Sequence, residues 1–365
     1  MNIKKIEVFR FSIPMEPFAI ATGTMDYAQN TLIRIHTDNG LVGYGECSAF
    51  PMIVGETQDT CLVLARDFAR IWKGKNAADI PARLAELDLY IAKNATIKSA
   101  FDMALHDLAA KHAGLPLYRY LGGERREIET DITIGIGSPL EMASKAMEFV
   151  KAGARVLKIK LGKDPVQDVE RIRVIREQAG EQIVIRIDAN QGWDFDGAVQ
   201  ALRGLEPFGI EFCEQPMRAY NDHLLPALRQ QTQIPIMADE SCYDHRDASR
   251  LILADACDYL NIKFSKSGGI AEALRIHEVA QREGMPCMIG GMLETRLALA
   301  ANVHFAYAAP QVQFFDMDTC MVGHLADPII GGIEYNGFQI TLPDTPGIGA
   351  EVDPSFLADC ESWVI

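Results

Sequence analysis

The segment Arg155-Val-Leu-Lys-Ile-Lys-Leu-Gly162 combines the apolar residues of a buried β-strand with two lysines. Successive side chains of a strand point to opposite faces, so Lys158 and Lys160 share one face. Burying an unpaired charge is costly in free energy. The pair therefore predicts a strand that ends in a polar site and not in a closed core.

This segment is one of eight short, mostly apolar runs that alternate with amphipathic stretches of helical length. The runs are Asp131–Gly135, Val156–Leu161, Ile183–Asp188, Gly209–Glu214, Pro235–Asp239, Asp258–Lys263, Pro286–Gly290 and Val312–Asp316. Strands that alternate with helices indicate an α/β fold with a parallel sheet. We expect a closed, TIM-like (β/α)7β barrel. An open doubly wound sheet is the alternative, although Gly135-Ile-Gly-Ser-Pro139 is a poor match to its phosphate-binding loop.

The segments on either side of the barrel differ from it in pattern. Residues 1–125 predict an α+β capping domain with strands at 3–13, 28–37 and 41–48, followed by a helix that ends at Gly114. The barrel itself is assigned to 126–322. Residues 323–365 are expected to pack back on the capping domain and to include one strand at 335–342.

Composition excludes several classes of protein. The net charge of -15 argues against a nucleic-acid partner, which calls for a basic surface. No apolar run reaches the ~18 residues that span a membrane, and the first residues lack a signal-peptide pattern. The eight cysteines form no Cys-x-x-Cys pair, so a zinc site is not expected. We expect a cytoplasmic protein whose thiols are reduced.

Three acidic residues close successive runs. Asp188, Glu214 and Asp239 are separated by 26 and 25 residues, about one strand–helix unit each. The carboxyl ends of parallel barrel strands form one face, where active sites lie, so these carboxylates should converge and repel one another. A divalent cation relieves that repulsion, and oxygen ligands with room for water and substrate favour Mg²⁺.

Two lysines are predicted to face each other across this site. Lys160 ends the second run and Lys263 ends the sixth, and these strands are opposite in a ring of eight. Two amines on opposite sides of one carbon can remove a proton and return it on the other face, as in a racemase or epimerase. Positive charge on Lys158 and the metal should lower the pKa of Lys160.

Several other polar residues follow the strand ends. Asp316 and Asp318, after the eighth run, would suit a substrate ammonium group on the side away from the metal. Asn190, Glu240 and Glu294 are candidates for groups that support the site from outside, or for helix caps. By pattern alone, Met292 is a core residue.

The sequence resembles the muconate-lactonizing subgroup of the enolase superfamily across its whole length. The matching motifs are Lys158-Ile-Lys160, Asp188-Ala-Asn190, Glu214-Gln-Pro216, Asp239-Glu-Ser241 and Lys263-Phe-Ser-Lys-Ser-Gly-Gly269. Within the subgroup, Gly290-Gly-Met-Leu-Glu-Thr295 and Asp316-Met-Asp318 are similar to the dipeptide epimerases.

The resemblance implies an isomerase with one Mg²⁺ per subunit on Asp188, Glu214 and Asp239, and Lys160 and Lys263 as the acid/base pair. Lys158 would assist, Asp316 and Asp318 would bind the dipeptide ammonium group, and Gly23, Met292 and Glu294 would contact the substrate. It also implies a homo-oligomer.

Epimerases of Ala-Glu in this subgroup have an arginine in the loop near residue 23. The segment Phe18–Met25 contains no arginine or lysine. We therefore expect inversion of the C-terminal residue of small or apolar dipeptides such as Ala-Ala. An o-succinylbenzoate synthase, N-acylamino acid racemase or cycloisomerase of the same subgroup remains an alternative, and a non-catalytic relative of the fold is a further one.

Overall fold

The computed structural model describes all 365 residues. Its strands are β1 Ile3–Ile20, β2 Gly23–Thr37, β3 Val42–Ser48, β4 Ile132–Ile134, β5 Val156–Lys160, β6 Val184–Asp188, β7 Ile210–Glu214, β8 Ile236–Ala238, β9 Tyr259–Ile262, β10 Cys287–Gly290, β11 Val312–Asp316, β12 Ile329–Gly331, β13 Glu334–Asn336, β14 Gln339–Thr341, β15 Ala350–Val352 and β16 Ser362–Val364.

Its α-helices are α1 Pro51–Val54, α2 Gln58–Trp72, α3 Ile80–Tyr90, α4 Ala95–Ala113, α5 Leu117–Tyr120, α6 Pro139–Lys151, α7 Pro165–Ala179, α8 Phe195–Leu205, α9 Leu225–Arg229, α10 His245–Leu253, α11 Phe264–Ser267, α12 Ile270–Arg282, α13 Arg296–Ala308, α14 Thr319–Val322 and α15 Pro354–Ala358. Short 3-10 turns cover Glu206–Phe208 and Ala219–Leu224. None of the helices combines the length and the hydropathy that a membrane span requires.

Strands β4 to β11 form one parallel sheet in sequence order, and each lies within one residue of its predicted bounds. The N–H of Asp131 donates to the Phe315 carbonyl at 3.1 Å, which joins the first strand to the last. The N–H of Met317 donates to Thr130 Oγ1 at 2.9 Å across the same seam. The prediction of a (β/α)7β barrel is therefore confirmed.

An apolar layer fills the barrel below the strand ends. Phe212, Met237 and Met288 are fully buried there. Phe212 and Met237 precede Glu214 and Asp239 by two residues, so they point to the same inner face one layer down. The charged strand ends therefore rest on a packed floor, as expected of a filled barrel.

The capping domain is built on an antiparallel sheet of order β16-β1-β2-β3, with α4 packed closely against β3. This approach requires Gly45, because a Cβ there would overlap the Ala100 carbonyl. The predicted strands are present, but the prediction of a loop around residue 23 is wrong. Strands β1 and β2 continue to a tight hairpin in which Ile20 pairs with Gly23, so the segment extends over the barrel as a ribbon.

The C-terminal segment returns to the capping domain, where β16 pairs with the middle of β1. The prediction of a single strand at 335–342 is wrong. Gly337 adopts a left-handed φ of 61° and turns the chain, so that β13 and β14 form a small hairpin with Tyr335 opposite Ile340.

Two buried carboxylates of the capping domain bind the first turns of barrel helices. Asp102 of α4 accepts hydrogen bonds from Ile270 and Ala271 N–H at the start of α12. Glu46 of β3 accepts from Thr295 N–H at 2.9 Å, at the start of α13. Helix N-termini carry unpaired donors and partial positive charge, so these contacts fix the capping domain onto the helices that follow β9 and β10.

Candidate active site

The predicted strand-end residues share one level of the barrel. Lys160, Asp188 and Glu214 are direct neighbours in the register of β5, β6 and β7. Asp239 follows β8 and Lys263 follows β9. All five are buried. The spacing of the motifs therefore predicted their height on the barrel correctly.

Each of the three candidate metal ligands is paired with a lysine. Asp188 Oδ2 lies 2.6 Å from Lys160 Nζ, and Asp239 Oδ2 lies 2.9 Å from Lys263 Nζ. Glu214 Oε2 lies 2.7 Å from Lys158 Nζ. Lys158 is fully buried. These three carboxylates and three lysines, at the ends of strands β5 to β9, form a compact array of alternating charges.

The electrostatics of the array single out Glu214. Burial, and then the neighbouring charge of Asp188, raises the pKa of Glu214 to about 7. Burial opposes ionisation of Asp188 too, but Lys160 and Lys158 more than offset this and lower its pKa. Burial alone would lower the pKa of Lys158, whereas Asp316, Glu214 and Asp188 raise it well above its ordinary value.

Lys266 is a buried member of the array that the sequence analysis missed. Its Nζ donates to Asp239 Oδ1 at 2.8 Å, to the Asp239 carbonyl, and to the Asn261 carbonyl at 2.9 Å. Asp239 is thus held from both oxygens, by Lys263 on one side and Lys266 on the other. The residue stands in the quoted motif Lys263–Gly269, and its signal was a second lysine one helical turn after the first.

The donor set fits a hard cation. Glu240 and Asn190 lie beside the array, with Asn190 Nδ2 3.4 Å from Glu240 Oε1. Glu240 Oε2 and Asn190 Oδ1 are buried without any hydrogen-bond partner, and burial together with Asp239 and Asp188 raises the pKa of Glu240 to about 8. Oxygen atoms of this kind, close to Asp188, Glu214 and Asp239, are those that Mg²⁺ prefers.

A second acidic cluster lies on the opposite side of the mouth. Asp131, Asp316 and Asp318 have carboxylate oxygens within 4.8 Å of one another, closer than the three candidate metal ligands. Asp316 Oδ2 pairs with Lys158 at 2.6 Å, and Asp131 Oδ2 pairs with Arg186 at 2.9 Å. Asp318 accepts the Thr133 N–H at 2.5 Å but has no cationic partner.

Burial and the charge of Asp316 raise the pKa of Asp318 to about 6. The cluster is therefore short of one positive charge. Asp131 was missed by sequence analysis because it opens the first barrel run and does not close it, so only the register between β4 and β11 brings it to Asp316.

One cavity joins the two halves of the site. Lys160, Lys263, Asp316 and Asp318 all line it. Its remaining wall is largely apolar and comes in part from the capping domain, through Met15, Phe18, Ile20, Phe50 and Ile53. Lysines from opposite strands of the barrel therefore face one shared space.

The three other predicted substrate contacts are placed differently. Met292 lines the cavity, whereas Gly23 and Glu294 are absent from its lining. Gly23 packs against Met52, which its missing Cβ leaves room for. Glu294 accepts from Ser265 Oγ at 2.8 Å and from the Met292 N–H, so it supports the loop after β10.

Comparison with known proteins agrees with this architecture. Residues 5–122 match the N-terminal domain of the mandelate racemase / muconate lactonizing enzyme family, and residues 141–356 match the enolase C-terminal domain-like model. The chain belongs to the enolase superfamily. The superfamily resemblance drawn from the motifs is thereby confirmed.

Several proteins that resemble this chain over nearly its whole length are named as epimerases. The chain is 44% identical to a D-Ala-D/L-Ala epimerase of Cytophaga hutchinsonii over all of both chains. It is 39% identical to an L-Ala-D/L-Glu epimerase of Clostridium acetobutylicum, over 96% of this chain and 99% of the relative. The crystal structure of the Cytophaga hutchinsonii dipeptide epimerase with Mg and D-Ala-L-Val covers all of both chains with a TM-score of 0.98 at 43% identity. The expectation of an isomerase is confirmed by these relatives.

Proposed function

We propose that the protein is a Mg²⁺-dependent dipeptide epimerase that inverts the α-carbon of the C-terminal residue. One observation carries the proposal: Lys160 and Lys263, from the second and sixth of eight barrel strands, line one cavity together with Asp316 and Asp318. A carbon held between the two amines is open to proton transfer on both faces. Relatives named for dipeptide epimerisation support this.

Asp188, Glu214 and Asp239 are the proposed ligands of one Mg²⁺ per subunit. The convergence of three buried carboxylates and the unpartnered oxygens of Glu240 and Asn190 support a cation there. A bound Mg²⁺ supplies charge stabilisation to the substrate carboxylate as its α-proton leaves. The structure of the Cytophaga hutchinsonii relative is a complex with Mg.

The two lysines carry the proton. Lys160 Nζ removes the α-proton on one face, and Lys263 Nζ delivers a proton on the other to the resulting enolate; the reverse direction exchanges their roles. Lys158 stays between Glu214 and Asp316, 2.7 and 2.6 Å from their oxygens, and stabilises the negative charge that develops.

Asp316 and Asp318 hold the free ammonium group of the dipeptide. Asp318 is buried without a cationic partner, so an ammonium group placed there gains a charge-assisted hydrogen bond and offsets its burial. An acylated amine would leave the same carboxylate unpaired. The cluster therefore favours a dipeptide over an N-acyl amino acid.

The cavity wall favours a small or apolar C-terminal side chain, with Ala-Ala preferred over Ala-Glu. The capping-domain residues that line it are apolar, among them Ile20, Phe50 and Ile53. Its only cationic lining residues are the two lysines. A glutamate side chain would thus lose its hydration without gaining a partner.

The test is α-proton exchange in D₂O, followed by mass spectrometry across a dipeptide library with and without Mg²⁺. We expect Mg²⁺-dependent gain of one mass unit, abolished when Lys160→Ala and Lys263→Ala are combined. Lys163→Ala, an exposed lysine in the same segment, is the matched control and should exchange normally. Exchange of N-acyl amino acids but of no dipeptide would contradict the proposal.

A further inference from the structure

A larger cavity lies directly beside the one between the lysines. It measures about 330 Å³, against about 60 Å³ for the space that holds the lysines. Phe18, Thr133 and Val322 line both, so the two cavities are direct neighbours. The larger of these two neighbouring cavities is therefore not the one that holds the lysines.

Seven of the eleven residues that line the larger cavity are hydrophobic. The lining includes Pro17, Ile134, Ile136, Phe149 and Met321, and we call this space the N-side pocket. Its only charged lining residue is Lys145, which is exposed and bound to Glu148 at 2.9 Å. An apolar occupant would bury part of its hydrocarbon surface against these apolar side chains.

The position of Thr133 indicates which part of a dipeptide would enter the N-side pocket. Thr133 N–H donates to Asp318 Oδ2 at 2.5 Å, and the same residue lines both cavities. A substrate ammonium group on Asp316 and Asp318 therefore places the N-terminal α-carbon at the entrance of the N-side pocket. The C-terminal side chain stays in the confined space between the lysines.

We propose that the N-side pocket binds a large apolar side chain of the N-terminal residue, so that the preferred substrates pair a bulky first residue with a small second one. The inference rests on the proposed function, since it uses the ammonium group as the anchor. It assigns the bulk of the substrate to one end of the dipeptide.

The experiment compares two dipeptides of identical composition, Leu-Ala and Ala-Leu, with Ala-Ala as reference, each supplied as all four stereoisomers. We expect kcat/KM for exchange to be about tenfold higher for Leu-Ala than for Ala-Ala, because buried methyl groups give discrimination of that order. Ala-Leu should fall below Ala-Ala. An Ala-Leu rate equal to or above that of Leu-Ala overturns the inference.

Filling the pocket tests its location. Ile136 is half-buried and lines the N-side pocket but not the reaction cavity. Ile136→Trp should bring Leu-Ala down to the Ala-Ala rate and leave Ala-Ala within twofold. Ile183→Trp, just before β6 at the opposite end of the barrel, is the control for a bulky substitution and should change neither rate.

Met321→Trp serves as a second filling variant, and thermal unfolding checks that each variant is folded. If both folded variants lose Leu-Ala and Ala-Ala exchange by the same factor, the pocket assignment is overturned. Ala-Ala exchange by the wild-type protein would still uphold the proposed epimerase activity. Absence of exchange for every dipeptide in the wild-type protein would instead overturn the proposed function, and the inference with it.

Discussion

Lys158 Nζ lies 2.6 Å from Asp316 Oδ2 and 2.7 Å from Glu214 Oε2, and its side chain is fully buried. One ammonium group thus joins the candidate metal side of the mouth to the acidic cluster opposite. Lys158 differs in this from Lys160, whose single carboxylate partner is Asp188. The arrangement supports a structural and electrostatic role for Lys158 and is consistent with Lys160 as the proposed proton carrier.

Removing this ammonium group should leave buried carboxylates uncompensated. We expect Lys158→Met to lower the free energy of unfolding by about 3–5 kcal/mol, the usual cost of breaking a buried ion pair from one side. The loss should be greater in EDTA than in Mg²⁺, because a cation on Glu214 and Asp188 replaces part of the missing charge. Urea unfolding measures both.

Lys163→Met, at an exposed site three residues after Lys160, is the matched control and should stay within ~0.5 kcal/mol of wild type. A Lys158→Met protein as stable as this control in EDTA would contradict the role given to the buried lysine.

Asp318 should discriminate between free and blocked amino groups. Asp318→Asn removes the unpaired carboxylate and should lower kcat/KM for dipeptides at least 100-fold, or ~2.7 kcal/mol, within the range for truncating one side of a buried charge pair. The comparison substrate is the same dipeptide with an acetylated amine, which should already be poor and should change little.

Asp327→Asn is the control for a carboxylate near the same segment, because the side chain of Asp327 is half exposed and already paired with Arg296. Its kinetics should match wild type. If Asp318→Asn slowed the free and the acetylated dipeptide by the same factor, the ammonium site would lie elsewhere.

The fold was predictable because one strand–helix unit repeats about every 25 residues, which fixes the height of Asp188, Glu214 and Asp239 at once. Periodicity also placed Lys263 opposite Lys160. Periodicity does not show which residues meet across the seam between β4 and β11. Asp131 was missed for this reason, although its carboxylate lies beside that of Asp316.

Local conformation set the other limit. Residues 14–27 have mixed polarity and two prolines, which favours a loop. They nevertheless continue β1 and β2, because the hairpin packs over the barrel mouth. Gly337 reversed the chain inside a segment whose alternation predicted one strand. In both places tertiary packing or a single left-handed residue outweighed the pattern.

Asp102 links the two domains close to the candidate catalytic lysine. From the capping domain it caps α12, which begins seven residues after Lys263. We expect Asp102→Ala to cost about 1–3 kcal/mol, since it leaves the α12 donors buried and unpaired. It should also reduce exchange, because the segment from Lys263 to Lys266 loses its anchor.

Asp79→Ala provides the comparison for this prediction. Asp79 caps α3 entirely within the capping domain, accepting the Ala82 N–H at 3.2 Å. It should cost ~1 kcal/mol and leave exchange unchanged. Loss of activity in both variants, or in neither, would refute the special position of the interdomain cap.

His304 should make stability depend on pH. It is buried in α13, where its Nδ1 accepts the Tyr118 N–H at 3.1 Å and its Nε2 lies 3.0 Å from the Ile348 carbonyl. Burial lowers the pKa of His304 to about 4, from an ordinary value near 6.5. The neutral ring satisfies both neighbours, whereas a second proton would face the Tyr118 donor.

Because the folded pKa is lowered, the unfolded chain binds the proton first as the pH falls. The stability is present in full above pH 6.5, falls between pH 6.5 and pH 4, and reaches its minimum below pH 4. We expect this residue alone to lower the free energy of unfolding by about 2 kcal/mol between pH 7 and pH 5.

In His304→Asn, which cannot titrate, the free energy of unfolding measured with urea should fall by that much less over the same pH range. His112→Asn, on the exposed end of α4, should keep the wild-type slope, and identical slopes in all three proteins would show that His304 titrates normally.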